Sequence, residues 1–283
     1  MASDLSGRHI PGPVPLLEPR EPMSEAVTYG KYLKLEELLA LQPPRDEVEH
    51  DEMLFIVIHQ VYELWFKVLL HELDYCCRLL GEGDRPRALH TLRRVLTILK
   101  VLVAQLDILE TMTPNEFLTF RERLASASGF QSDQFRALEF VLGRKTRASV
   151  ERFSEGSRAR TELARRWEEA TLWDFFLKYL AGQGYAVPDA QLARDVTVPV
   201  EPSTEIQALL IEIYRSDPAT AEVCEQLVDL DEGLQEWRYR HVKMVERTIG
   251  MKGGTGGSAG SKYLHTTLNA SVFPDLWEIR SQL

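Results

Sequence analysis

The sequence predicts an all-α fold, a bundle of long antiparallel helices, and two observations carry that reading. Apolar residues recur at three- and four-residue spacing through residues 48–80 and again through 87–112, the period of a helix that buries one face. No segment alternates apolar and polar residues long enough to make a strand, and no internal repeat is visible. Long helices joined by short turns pack as antiparallel neighbours around a shared core.

Each element follows from its local residues. Residues 1–25 hold five of the fourteen prolines (Pro11, Pro13, Pro15, Pro19 and Pro22) and read as a mobile N-terminal arm ahead of one all-helical domain over 26–283. Thr28-Tyr29-Gly30-Lys31-Tyr32-Leu33 opens a short helix to about Leu41, stopped by Pro43-Pro44. A long helix runs from about Val48 to Leu80, with Leu54, Val57, Val61, Leu64 and Val68 in register. Gly81-Glu82-Gly83-Asp84 is a turn, and Pro86 suits the first turn of the next helix. That helix, Arg87 to about Met112, lines up Leu89, Leu92, Leu96, Leu99, Val103, Leu106 and Leu109. Thr113 followed by Glu116 is a capping pair that starts another helix. Ser126-Ala127-Ser128-Gly129 breaks the chain before a helix from about Ser132 to Leu142. Residues 160–182 read as one amphipathic helix, and 183–202, with Pro188, Pro199 and Pro202, as a long connection. Helices over roughly 204–215 and 218–250, a glycine-rich run and a short final helix complete the chain.

The bulk composition narrows the function. A net charge of −10, from 33 basic and 43 acidic residues, gives no electrostatic case for nucleic acid or an anionic membrane. The longest fully apolar run, Met53–Ile58, falls far short of the ~20 residues of a membrane span. No basic-then-apolar leader opens the chain. Cys76, Cys77 and Cys224 cannot all pair and lack metal-site spacing, so a reduced, cytoplasmic protein is expected.

Four segments could carry chemistry. Phe55, His59 and Glu63 share one helix face, and the two polar groups sit in an apolar stretch where each needs a partner. Either His59 and Glu63 form a satisfied structural network or they face a ligand. Glu47 and His50 make one Glu-x-x-His pair, whereas a carboxylate-bridged di-iron bundle needs two. Arg121, flanked by Phe117 and Phe120, can offer its planar fork to a carboxylate or lie solvated at the surface. His241 shares a face with Trp237 and Val245, where a neutral imidazole is either a packed core residue or an axial ligand. Twelve residues on, Gly253-Gly254-Thr255-Gly256-Gly257-Ser258-Ala259-Gly260 places five glycines in eight positions. Each would cost roughly 1 kcal/mol in a helix interior, so the run is a loop: a linker, or a lid over a small-molecule site.

Taken in order, His50-Asp51-Glu52-Met53-Leu54-Phe55, His59-Gln60 with Glu63-Leu64-Trp65, Phe120-Arg121, Ser126–Ser132, Trp237-Arg238 with Arg240-His241, and Gly254–Ser258 resemble the tryptophan 2,3-dioxygenase family. The similarity is collinear from Tyr29 to the final helix. It implies an all-helical homotetramer that binds haem b, ferrous when active, and inserts both atoms of O₂ across the indole C2–C3 bond of L-tryptophan to give N-formyl-L-kynurenine. It implies that His241 is the haem-iron ligand, with Ser128, Gly129 and Phe117 also at the cofactor. His59 contacts the indole N–H, Phe55 packs on the ring, Arg121 clamps the carboxylate and Thr255 closes over the amino-acid end. Tyr29 and Tyr32 resemble tyrosines that reach a neighbouring subunit's pocket. Phe117 stands where some members carry Tyr, and Leu106 where some carry an aromatic residue. The competing expectation is a haem-dependent monooxygenase acting on a substituted tryptophan in secondary metabolism.

Overall fold

The computed structural model describes residues 27–45, 48–253, 264–268 and 270–283. The arm expected over 1–25, Glu47 of the Glu-x-x-His pair, and Thr255 with the rest of the glycine-rich run beyond Gly253 lie outside the described residues. Among those described the structure is all-α, with no strand. They fall into two compact units, one ending at Pro43 and one spanning Pro44–Leu283.

The first unit holds α1 (Tyr29–Leu33) and α2 (Leu35–Leu39) rather than the single helix expected to Leu41. Lys34 explains the division: it adopts the left-handed conformation, φ 51° and ψ 48°, and its N–H closes α1 on the carbonyl of Gly30. Thr28 caps α1 by accepting from the Lys31 N–H at 3.4 Å. Neither helix buries a residue, and Tyr29 and Tyr32 are 75% and 77% exposed.

The second unit is organised by three long helices, α3 (His50–Gly81), α4 (Arg85–Leu109) and, after several shorter ones, α12 (Pro218–Ile249). The α3–α4 turn uses Gly83 at φ +77°, a conformation that favours glycine, and Asp84 caps α4 by accepting from the Arg87 N–H at 3.2 Å. The leucine register of α4 is buried as its spacing predicts, with Leu92, Leu99 and Leu106 all under 5% exposed. One side of α4 packs on α3 and another on α12. Gly233 permits the second approach, because a Cβ there would meet Leu99 Cδ1 at 3.3 Å. By length and composition α3 could cross a membrane, yet its Leu69, Leu73, Cys76, Leu79 and Leu80 are fully buried in the core. Met53, Val57 and Leu64 remain exposed along its other side.

Shorter helices complete the unit: α5 (Pro114–Arg121), α6 (Asp133–Val141), α7 (Arg147–Glu151), α8 (Arg158–Glu168), α9 (Leu172–Gly182), α10 (Asp189–Leu192), α11 (Thr204–Ser216) and α13 (Pro274–Glu278). The capping box expected at Thr113 and Glu116 is present. The helix expected over 160–182 is two helices. Thr171 and Asp174 form a second capping box that starts α9, with the Asp174 carboxylate accepting from the Thr171 N–H at 2.7 Å. The buried ammonium of Lys145 takes the α8-terminal carbonyls of Trp167 and Glu169, which stabilises the break. The long connection over 183–202 contains α10, and α7 occupies a segment with no sequence signal for a helix.

Candidate functional site

Phe55, His59 and Glu63 project from successive turns of α3 into a cavity of about 270 Å³. His59 Nδ1 lies 2.7 Å from the carbonyl oxygen of Phe55, one turn back. A carbonyl only accepts, so Nδ1 carries the proton and the neutral ring keeps a lone pair on Nε2. Burial pushes the His59 pKa below its usual value, opposed by the Phe55 bond and the Glu63 carboxylate. Glu63 does not bond His59. Its backbone carbonyl and Oε2 both accept from Gln134 Nε2 of α6, at 2.9 and 2.8 Å.

α5 supplies the next wall. Phe117 and Phe120 pack against Phe55 with ring centroids 5.7 and 5.5 Å away. Arg121, at the end of α5, donates from Nη2 to the carbonyl of Gly253 at 2.7 Å, and its Nε is buried without a partner among the described residues. The serine–glycine break follows. Ser128 caps a short 3-10 turn by accepting from the Phe130 N–H at 3.3 Å, and a Cβ built on Gly129 would meet nothing within 4 Å. Both residues line the cavity.

His241 reaches the same cavity from α12. Burial, reinforced by His59 nearby, lowers its pKa to about 4, so the imidazole is neutral at ordinary pH. Neither of its ring nitrogens hydrogen-bonds a described residue; its neighbour is Trp237, stacked at 5.3 Å between centroids. Of the expected site residues, Phe55, His59, Phe117, Arg121, Ser128, Gly129 and His241 therefore meet at one cavity. Tyr29 and Tyr32 belong to the other unit, and Thr255 is outside the described residues.

One charged cluster at this cavity goes unread in the sequence. Arg136, Glu139 and Arg238 all line it and are all under 10% exposed. Glu139 pairs with Arg136 at 2.5 Å and with Arg238 at 3.2 Å. Burial lowers the Arg238 pKa to about 10, with Arg144 adding repulsion and Glu139 opposing. Arg136 Nε is buried without a partner among the described residues. Two arginines against one carboxylate leave positive charge facing a largely apolar chamber. The available signal was the Arg136–Glu139 charge pair at three-residue spacing, set among the apolar Phe135, Ala137, Leu138, Phe140 and Val141.

A neutral histidine with no hydrogen-bond partner among the described residues, apolar and aromatic walls, and a buried excess of guanidinium together suit a flat, metal-bearing group with an anionic edge. Fold and site thus define an all-helical protein with a buried, largely apolar chamber whose lining suits a flat cofactor and a small aromatic ligand. A family model described as tryptophan 2,3-dioxygenase matches residues 18–180 and 190–283. The chain is 58% identical to a tryptophan 2,3-dioxygenase of Herpetosiphon aurantiacus, over 92% of this chain and all of the relative. It is 55% identical to one from Anaeromyxobacter sp. strain K, over 92% of this chain and 97% of that one. A Caulobacter vibrioides tryptophan 2,3-dioxygenase is 44% identical over 92% of this chain and its own full length. The chain belongs to the tryptophan 2,3-dioxygenase family.

Proposed function

We propose that this protein is a haem-dependent tryptophan 2,3-dioxygenase, adding both atoms of O₂ across the indole C2–C3 bond of L-tryptophan to give N-formyl-L-kynurenine. The observation that carries the reading is one cavity lined by a neutral His241 with no hydrogen-bond partner among the described residues, by His59 with Nε2 as its acceptor nitrogen, and by the Arg121 side chain. When bound, ferrous haem b would supply the reactivity toward O₂. His241 would hold its iron, Arg136 and Arg238 would meet its carboxylates, and Ser128, Gly129 and Phe117 would lie along it.

The remaining residues bind and orient the amino acid. His59 Nε2 accepts the indole N–H, which its neutral tautomer allows and an imidazolium would not. Phe55, backed by Phe117 and Phe120, packs on the ring and keeps water out. Arg121 offers its guanidinium to the substrate carboxylate, the ion for which a planar two-donor fork is best suited. Thr255 closes over the amino-acid end. Phe117 contributes apolar surface, with no hydroxyl to place near the haem.

The assembly in this reading is a homotetramer. Met53, Val57 and Leu64 on α3, with Val101 and Ile108 on α4, leave an exposed apolar surface for another copy. Tyr29 and Tyr32, exposed in their own unit, are then available to a neighbouring copy's pocket. The free, buried thiols of Cys76, Cys77 and Cys224 accord with a reducing cytoplasm.

The test is anaerobic reduction of haem-loaded protein, followed by L-tryptophan and ¹⁸O₂. A formylkynurenine product carrying two labelled oxygens is expected. One labelled oxygen, or turnover confined to a substituted tryptophan, would refute the dioxygenase.

A further inference from the structure

Trp237 precedes His241 by one turn of α12, and the two rings lie within 6° of parallel with centroids 5.3 Å apart. The indole is itself fixed. Phe135 of α6 packs against it at 5.0 Å, while Phe66 and Tyr62 of α3 meet it edge-on at 6.2 and 6.3 Å. Tyr62 donates its hydroxyl to the Leu102 carbonyl of α4 at 2.7 Å, tying these rings to a fourth helix. Trp237 is only 9% exposed, and it cannot turn without displacing three aromatic neighbours.

A metal-ligating histidine ordinarily donates its second ring N–H to a carboxylate or carbonyl, which fixes the plane of the ring and raises its basicity. Here neither ring nitrogen of His241 bonds a described residue, and the group lying against the imidazole is the face of Trp237. Stacking of this kind restricts rotation about the imidazole's last torsion but withdraws no proton.

We propose that Trp237 is a positioning residue for the histidine that would hold the iron: its indole face, stacked on the ring, sets the plane of the His241 imidazole. The inference rests on the haem reading above. It has two consequences for that site. The imidazole holds one orientation, and the stacking contact, unlike a carboxylate acceptor, adds no anionic character to the ring, which favours ferrous over ferric iron.

The test uses the haem-loaded chain and three variants, Trp237→Phe, Trp237→Leu and Phe135→Leu. The readouts are the ferrous iron–histidine stretching band and the midpoint potential. Trp237→Leu, which removes the face, is expected to shift and broaden the band. Trp237→Phe, which keeps a smaller face, is expected to shift it part of the way. Phe135→Leu keeps the stacked indole face and removes one of its three aromatic supports, so it is expected to broaden the band without displacing it. Should Trp237→Leu fail to load haem, the other two variants decide: a displaced band in Trp237→Phe beside an unmoved one in Phe135→Leu supports the proposal. Equal bands in those two variants, moved or unmoved, overturn it. An unsubstituted protein with no histidine-ligated ferrous spectrum would instead defeat the haem reading, so the two failures are distinct.

Discussion

His59 donates from Nδ1 to the carbonyl oxygen of Phe55 at 2.7 Å, and this bond determines which ring nitrogen faces the cavity as an acceptor. Burial holds the ring's pKa below 6.5. The neutral form therefore prevails at pH 7, and protonation of Nε2 removes the acceptor only as pH falls below that value. The expected kcat/KM profile has an acid limb with an apparent pKa under 6.5. His59→Ala should turn over more slowly, keep its haem and lose the limb. An unchanged limb in that variant would show that another group titrates there.

Arg121 lines the cavity and engages Gly253 through Nη2, while its buried Nε has no partner among the described residues. If that guanidinium receives the substrate carboxylate, Arg121→Ala should weaken substrate binding by at least about 2 kcal/mol, roughly thirty-fold in KM. Arg121→Lys keeps the charge but not the fork, and should recover only part of the loss. Steady-state kinetics on both variants decide the matter, and an unaltered KM in Arg121→Ala would exclude the clamp.

Much of this architecture was legible because its signals are local. The leucine register of α4 repeats every three or four residues, and the Thr113–Glu116 capping box spans four positions, so a reader of the chain can place both. His59 and His241 stood out as polar groups on apolar faces. The buried Arg136–Glu139–Arg238 cluster did not, because Arg238 comes from α12, 99 residues beyond Glu139, and only the tertiary fold brings it there. The break between α8 and α9 was legible in principle from Thr171 and Asp174, but helical periodicity on both sides conceals it. The carbonyl-capping role of Lys145 depends on a fold contact and has no sequence signature.

Asp231 is fully buried on α12, and its Oδ2 accepts from the Val272 and Phe273 N–H groups at 2.9 and 3.1 Å and from Trp277 Nε1 at 2.9 Å. One carboxylate thus fastens the C-terminal segment carrying α13 onto the helix that bears His241. Asp231→Ala would strand these donors, at a cost of about 3 kcal/mol or more. The measurement is urea unfolding, where the midpoint should fall. A midpoint within error of the unsubstituted protein would mean the segment is held by packing of Phe273 and Leu276 alone.

Asp217 caps α12 at its other end, accepting from the Ala219 and Thr220 N–H groups, both at 3.1 Å, and from the Thr220 and Tyr185 hydroxyls at 2.6 and 2.9 Å. The Thr220 and Tyr185 hydroxyls, followed by the backbone donors, hold its pKa down at about 2. An unfolded aspartate titrates near pH 3.9, so the folded state prefers the charged form. This contribution is present in full above about pH 4 and is lost as pH falls through about 2, because the unfolded chain takes up the proton first. Asp217→Ala should cost about 1 kcal/mol at pH 7, the usual size of a lost cap. The gap between variant and unsubstituted protein, measured by denaturant unfolding at successive pH values, should narrow between pH 4 and pH 2. A gap that stays constant across that range would show that the carboxylate's charge contributes nothing to holding the start of α12.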